Sequence, residues 1–165
     1  MSFVPPGEIP GGSPLRLCNE SAETDLYAID HIELYPKPLY IDDVFEVHLY
    51  GTFLKNITDN ATLTFTARYG NSTEQETGTI DFCGSLDSLD QPDPDRKQEC
   101  PPEKGFAFMS TSAWVMPMFF VPGDYYFRFD VVTKEDERIY CLDAKVSLDY
   151  EDKKDRSSSA QIDLG

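Results

Sequence analysis

The chain has 165 residues, with 30 Asp and Glu against 14 Lys and Arg, which gives a formal charge of −16. Its length suits one domain with a substantial core. The acidity would repel a phosphate backbone, and no cluster of basic residues interrupts it, so nucleic acid is excluded as a partner. No apolar run approaches the roughly 20 residues of a membrane-spanning helix.

The two ends of the chain differ in composition from the middle. Residues 1–12 are rich in Pro and Gly and are expected to form a flexible N-terminal segment. Residues 151–165 are charged and then rich in serine, which predicts a disordered tail. The folded domain is therefore expected to span residues 13–150.

Between the tails, apolar and polar residues alternate with a period of two. Phe45, Val47 and Leu49, for example, are separated by single residues of a second face. The predicted strands are 27–34, 45–50, 62–68, 77–82, 105–110, 125–131 and 140–148. About seven strands without a helical period predict an all-β, immunoglobulin-like sandwich of antiparallel strands.

The asparagines and cysteines indicate the compartment. All four asparagines open an Asn-x-Ser/Thr triplet, which predicts glycosylation at Asn19, Asn56, Asn60 and Asn71. The four cysteines lack the spacing of a zinc or thioredoxin site, so disulfides are the preferred interpretation. Four cysteines permit three pairings. Together these features predict passage through the secretory pathway.

Catalytic and metal sites find little support in the sequence. The two histidines, His31 and His48, lie on predicted strands away from any cysteine, and no nucleophile, phosphate-binding or zinc motif occurs. The run Asp87–Asp95 has alternating oxygen ligands but lacks the glycine and the final glutamate of a calcium loop, so a solvated acidic loop is favoured. We therefore expect no enzyme activity, no metal and no cofactor.

The segment Ala113–Pro122, AWVMPMFFVP, is apolar without alternation. Such a run between strands cannot point inward throughout, and exposed contiguous apolar surface marks binding sites. The methionines add adaptable surface, and the prolines hold the segment extended at little entropic cost. It also contains the only tryptophan, Trp114, which is thereby expected in a loop.

A set of short motifs carries a family resemblance. In order these are Ser13-Pro14-Leu15-x-x-Cys18, Ile29-Asp30-x-Ile32-x-Leu34-x-Pro36-x-Pro38, Tyr69-Gly70, Cys83, Glu99-Cys100-Pro101, Pro122-Gly123-Asp124-Tyr125 and Val132-Thr133-Lys134-Glu135-Asp136-x-x-Ile139-x-Cys141-Leu142. The ordered set resembles the ML-domain lipid-recognition family over about residues 13–150. Within the family it is most similar to fungal phosphatidylglycerol/phosphatidylinositol transfer proteins, relatives of the Niemann-Pick type C soluble sterol carrier.

The resemblance implies a sandwich whose sheets separate to hold a lipid, with disulfides Cys18–Cys141 and Cys83–Cys100. It places the mouth of the lipid cavity at Trp114, Met116, Pro117, Met118, Phe119 and Phe120. The cavity lining is expected to comprise Phe45, Val47, Leu49, Leu63, Phe65, Phe106, Phe108, Phe127, Phe129, Leu142 and Val146. After Tyr69-Gly70 the chain departs from the family pattern, because a polar stretch replaces an apolar strand.

The resulting expectation is a non-catalytic carrier of sterol or anionic phospholipid such as phosphatidylinositol or phosphatidylglycerol. Its partners would be the lipid as cargo, a membrane in transient contact, and a membrane-embedded protein that accepts the lipid. A vacuole-like or lysosome-like lumen, or the extracellular space, is the expected location. The runner-up is a secreted immunoglobulin-like recognition or adhesion module with a solid core, whose apolar loop binds a protein. A hydrolase with an acidic pair comes third.

Overall fold

The computed structural model describes residues 9–18, 24–36, 38–70, 72, 74–92 and 99–151. Nine strands and one short helix occur in these ranges. They are β1 (Arg16–Leu17), β2 (Tyr27–Tyr35), β3 (Val44–Phe53), β4 (Thr62–Tyr69), β5 (Gln75–Asp81), α1 (Phe82–Ser85), β6 (Leu86–Asp90), β7 (Gly105–Trp114), β8 (Gly123–Val132) and β9 (Arg138–Leu148). No helix among them is long and apolar enough to cross a membrane.

The strands form two antiparallel sheets that pack as a sandwich. Sheet A has the order β1-β9-β8-β4-β5, and sheet B has the order β2-β3-β7-β6. Alternation places Phe127 and Leu142 on the inner face of sheet A and Leu49 and Met109 on the inner face of sheet B. The predicted all-β sandwich is confirmed.

The structure contains two strands beyond the seven predicted. β1 has only two residues, too few to show a period, and it forms because Arg16 and Leu17 pair with the edge of β9. β6 contains the first residues of the acidic run Asp87–Asp95, which was expected to be a loop. Leu86 and Leu89 are half-buried against the core while Asp87 and Ser88 between them are exposed, and the stretch is an edge strand that pairs with β7.

The main core lies where β3 ends and β7 begins, which we call the closed end. Its largest members are completely buried: Tyr27, Phe53, Phe82, Ile139 and Val131. The rings of Tyr27 and Phe53 are 4.5 Å apart, and the Tyr27 hydroxyl donates to the Ala107 carbonyl at 2.8 Å. Burial raises the pKa of Tyr27 well above its usual range. The closed end is therefore a tightly packed core with its polar group satisfied.

Two disulfides, Cys18–Cys141 and Cys83–Cys100, join segments that lie against this core. They are the two pairs that the family resemblance implies. The first closes a separation of 123 residues and attaches β1 to the sandwich, while the second spans 17 residues on the β5–β6 side.

The N-terminal segment differs from expectation where the structure describes it. Ile9 is buried in the main core, and the Pro10 carbonyl accepts from the Ile32 amide at 3.0 Å. Gly11, at φ +128°, permits this approach, because a Cβ there would lie 1.7 Å from the Ile32 oxygen. Residues 9–12 thus run along the edge of β2. Residues 1–8 and 152–165, most of the predicted tails, lie outside the described residues.

Candidate functional site

The opposite end of the sandwich, where β7 ends and β8 begins, has a second and smaller core. Four fully buried residues form it: Ile41, Val115, Tyr125 and Leu148. Phe45 and Val146 are half-buried and contact both this cluster and the main core. We call this region the open end, because the inner faces around it are incompletely covered.

Between the two clusters the inner faces of the sheets are only half-buried. The residues concerned, which we call the half-buried inner surface, are Phe45, Leu63, Phe65, Phe127, Phe129 and Val146. The Phe65 ring lies 6.0 Å from that of Phe127 and 5.4 Å from that of Phe129. In a solid sandwich the central inward positions would be fully buried. These inward positions are therefore less completely covered than the two cores on either side of them.

The edge strand β5 explains part of this exposure. All seven of its residues are exposed, so neither of its faces is covered. Residues 75–78 of this strand belong to the polar stretch, 71–78, in which the chain departs from the family pattern. Because β5 lies next to β4, the neighbouring inward residues Leu63 and Phe65 lack cover on that side.

A groove of about 290 Å³ opens between the sheets on the other side of the open end. Leu34 of β2 and Leu39 of the β2–β3 connection border it on one side, and Val146 and Leu148 of β9 border it on the other. Three prolines, one lysine and one serine complete its wall: Pro14, Pro36, Pro38, Lys145 and Ser147. A volume near 300 Å³ with a mainly apolar wall is the lower limit for a small-molecule site.

The segment that joins β7 to β8, residues 115–122, closes the open end; we call it the apolar loop. The Val115 amide donates to the Asp43 carbonyl at 2.9 Å, and the Asp42 amide donates to the Val115 carbonyl at 2.7 Å. At the other end of the loop, the Tyr125 hydroxyl donates to the Val121 carbonyl at 2.8 Å and accepts from the Val121 amide at 3.0 Å. The loop is thus held at both ends.

The side chains of the apolar loop point in two directions. Phe120 turns inward, with its ring 5.3 Å from Tyr125 and 5.9 Å from Phe127. Met116 and Pro117 are half-buried. Met118 and Phe119 are 67% and 69% exposed, and Val121 is exposed as well. The expected exposed apolar surface is present, and Met118 and Phe119 are its centre.

Trp114 was expected in the loop, but it is the last residue of β7. It pairs with Val44 across to β3, and its indole Nε1 donates to Asp42 Oδ1 at 2.8 Å. The strand continues further than expected because the Val44–Trp114 pair extends the β3–β7 ladder. Trp114 therefore lies on the outer face of sheet B, beside the predicted mouth.

Most of the predicted lining residues lie on inner faces, but with different burial. Val47, Leu49 and Leu142 are fully buried in the main core. The remaining predicted residues on inner faces are those of the half-buried inner surface. The alternation of apolar and polar residues thus predicted the inner-face position of these side chains. It did not predict how completely each of them is buried.

Two predicted lining residues are wrong, namely Phe106 and Phe108. Phe108 pairs with Tyr50, and the two rings are 5.0 Å apart on the outer face of sheet B. Phe106 lies on the same face and is 45% exposed. The inward residues of β7 are the small Ala107 and the flexible Met109, both completely buried. The two phenylalanines were assigned to the inner face of β7 and in fact lie on its outer face. The size of a side chain does not decide which face of a strand turns inward.

The inter-sheet groove involves residues that the sequence prediction missed. Leu34, Leu39 and Leu148 border it, and Ile41 belongs to the same buried cluster as Leu148. The signal available in the sequence was the motif around Pro36 and Pro38, which ends β2 and turns the chain back over this end.

The histidines lie away from this site, on the outer face of sheet B. His31 Nε2 is 3.4 Å from Glu33, and His48 Nε2 is 3.6 Å from Glu46. A hydrogen bond from Tyr35 lowers the pKa of Glu33. Within the described ranges, no group of three or more His, Cys, Asp or Glu residues could hold a metal ion.

Comparison with known proteins gives the family. The ML domain model matches residues 12–148. A phosphatidylglycerol/phosphatidylinositol transfer protein of Pyricularia oryzae is 28% identical over 142 residues, which cover 86% of this chain and 75% of that protein. A protein of the same name from Emericella nidulans is 30% identical over 135 residues, covering 82% and 74%.

A solved structure has the same fold. The Niemann-Pick type C2 protein from Japanese carpenter ant superposes with a TM-score of 0.53 at 13% identity, and the match covers 78% of this chain and 97% of that one. The family model spans most of the chain, including both sheets and the apolar loop. The chain belongs to the ML-domain family.

Proposed function

We propose that this protein binds a single lipid between its sheets at the open end and transfers it between membranes. The observation that carries the proposal is the half-buried inner surface, where aromatic side chains on the inner faces of the sheets are only partly covered. The inter-sheet groove bordered by Leu34 and Val146 extends the apolar wall. The cargo is a sterol or an anionic phospholipid.

The energetics of transport require such a surface. Each methylene brought into water costs about 0.8 kcal/mol, so one long acyl chain costs on the order of 10 kcal/mol. A carrier must offset most of that cost by giving the chain an apolar environment. Transfer then exchanges one apolar environment for another, and no bond is made or broken. The proposed activity is accordingly non-catalytic, with the lipid as cargo rather than as a cofactor.

The relatives support this cargo. The proteins from Pyricularia oryzae and Emericella nidulans are named for transfer of phosphatidylglycerol and phosphatidylinositol. The exposed pair Met118 and Phe119 would touch the bilayer while Phe120 packs over the inner surface. Membrane contact therefore belongs to the proposal, and a membrane-embedded acceptor protein is its further partner.

A secretory route to a lumenal or extracellular location fits the same proposal. Two disulfides suit an oxidising compartment. The described sequon asparagines, Asn56 and Asn60, are exposed in the β3–β4 connection at the closed end. Glycans there would leave the open end unobstructed. Asn19 and Asn71 lie outside the described residues.

The test is lipid capture from vesicles. The protein is incubated with donor vesicles that carry a fluorescent phospholipid or sterol, re-isolated, and analysed by fluorescence and lipid mass spectrometry. We expect about one lipid per chain. Wild-type protein that remains free of lipid in both assays would instead favour a recognition module with a solid core.

A matched pair of variants locates the bound lipid. Phe65→Glu places a charge on the half-buried inner surface, whereas Thr66→Glu places the same charge on the outer face of the same strand. Capture should fall at least about tenfold in the first variant, because a buried carboxylate is strongly disfavoured, and stay unchanged in the second. Equal capture by both variants, with folding verified by circular dichroism, would contradict the proposed site.

A further inference from the structure

The outer face of sheet A carries most of the basic residues that the structure describes. Eight Lys and Arg residues lie in the described ranges. Five of them are on this face: Arg16, Arg68, Arg128, Arg138 and Lys145. In a chain with a formal charge of −16, this face is therefore distinct from the rest of the surface.

Three of these cations have carboxylates nearby. Arg138 Nε lies 3.0 Å from Asp130 Oδ1, and Arg128 lies 3.6 Å from the other oxygen of the same carboxylate. Arg16 pairs in register with Asp143. Asp130 thus pairs with both Arg138 and Arg128, and Arg16 lies opposite Asp143 in the ladder.

The other two cations lie in one row across the sheet at the open end. Register places Gln75, Arg68, Tyr126 and Lys145 side by side on β5, β4, β8 and β9. The Arg68 guanidinium lies 4.8 Å from the centroid of the Tyr126 ring. In the part of the chain that the structure describes, neither Arg68 nor Lys145 forms an ion pair. We call these four residues the basic row.

A shallow groove of about 410 Å³ runs between the two cations. Arg68 and Lys145 border it, together with Gly70, Asp124, Tyr125, Tyr126, Val146 and Ser147. Two carboxylates near the groove keep their charge: Asp124 borders it and accepts from the Ser147 hydroxyl, and Asp143 accepts from the Tyr126 hydroxyl at 3.1 Å. The groove thus presents two cations and several hydrogen-bonding groups to an anion of phosphate size.

The groove is structurally continuous with the apolar loop. Tyr125 borders the groove and holds Val121 of the loop through its hydroxyl. The Gly70 amide donates to the Asp124 carbonyl at 2.8 Å, which joins the end of β4 to the start of β8, directly after the loop. A surface that receives Met118 and Phe119 would therefore lie beside the basic row.

We propose that the basic row binds the phosphate of anionic phospholipids in the bilayer surface and so orients the open end toward the membrane. The inference deepens the proposed lipid transfer and rests on it. A chain of this net charge is repelled by an anionic bilayer, and cations close to the surface counter that repulsion locally. The cations of the basic row thus favour docking of the open end, in preference to the other, acidic parts of the surface.

The test compares two double variants that lose the same charge. Arg68→Gln with Lys145→Gln removes the cations of the basic row, whereas Lys104→Gln with Lys134→Gln removes two exposed cations at the closed end. Binding is measured by co-sedimentation with phosphatidylcholine vesicles, with and without phosphatidylglycerol. On vesicles with phosphatidylglycerol we expect the first variant to bind about 20-fold more weakly and the control to change by less than about twofold. On pure phosphatidylcholine both should match the wild type.

Equal weakening in the two variants, or none in either, would overturn the inference. Millimolar inorganic phosphate, compared with chloride at equal ionic strength, should leave vesicle binding intact. If phosphate binds the wild type tightly without vesicles, and phosphatidylglycerol in the vesicles adds no affinity, the groove takes free phosphate and the bilayer assignment is wrong. Capture of lipid monomers delivered by cyclodextrin needs no bilayer, so failure of capture in the wild type would contradict only the proposed transfer function.

Discussion

The two ends of this sandwich use the same strands for opposite purposes. At the closed end, Tyr27, Phe53 and Phe82 fill the space between the sheets completely. Toward the open end, Phe65, Phe127 and other inward side chains of similar size are only half-buried. Stability and lipid capture are therefore expected to depend on different sets of apolar residues in one fold.

The largest expected effect on stability comes from removal of the disulfides at the closed end. Replacing Cys18 and Cys141 by alanine should lower the free energy of unfolding by about 5 kcal/mol in the chain-entropy model, because the closed loop is long. Replacing Cys83 and Cys100 should lower it by about 3 kcal/mol. Urea denaturation of the two double variants measures the difference. A larger loss of unfolding free energy on removal of Cys83–Cys100 would contradict this order, which rests on loop length.

Phenylalanine truncation compares the two ends directly. Phe53→Ala should cost about 3–5 kcal/mol of unfolding free energy, because it leaves a cavity in a filled core. Phe65→Ala should cost only about 1–2 kcal/mol, since the side chain is partly exposed already. Lipid capture should fall in the second variant and persist in the folded fraction of the first. Equal costs would mean that the open end is packed as firmly as the closed end.

The apolar loop should affect transfer without affecting stability. Phe119→Asp should reduce the rate of transfer between vesicles about tenfold or more, because the variant loses the free energy of burying one aromatic side chain in the bilayer. Its unfolding free energy should change by no more than about 0.5 kcal/mol, because the side chain is largely exposed. Leu54→Asp, an exposed residue at the closed end, is the matched control and should transfer normally. A normal rate in Phe119→Asp would remove the loop from the mechanism.

The smallest effect is a dependence of stability on alkaline pH that arises at the closed end. Burial raises the pKa of Tyr27 and of Tyr140, so above about pH 10 the unfolded chain loses protons that the folded chain keeps. The unfolding free energy therefore falls as the pH rises through that value. Tyr27→Phe should cost about 1 kcal/mol near neutrality, through loss of the bond to Ala107, and should reduce the alkaline slope. Urea titrations near pH 8 and pH 11 test this, and an unchanged slope would contradict it.

Local sequence determined the strands and the character of the apolar loop. A period of two is a property of the extended backbone itself, so β3, β4, β8 and β9 were predictable without knowing their partners. It was equally predictable that part of the apolar loop would be exposed, because no regular element could bury a continuous apolar run, but that the exposed part is Met118 and Phe119 was not. The short strands β1 and β6 were not, since each exists only through pairing with a neighbour.

Only the tertiary structure decided which face of each strand turned inward and how completely it was covered. Phe106 and Phe108 alternate as regularly as Ala107 and Met109, and it is the register with β3 that turns the smaller pair into the core. Phe53 and Phe65 differ in burial because one has sheet opposite it and the other lies beside the uncovered strand β5. The basic row likewise brings together four residues from four strands. Alternation is local, whereas cover and proximity are created by the packing of segments that are distant in the chain.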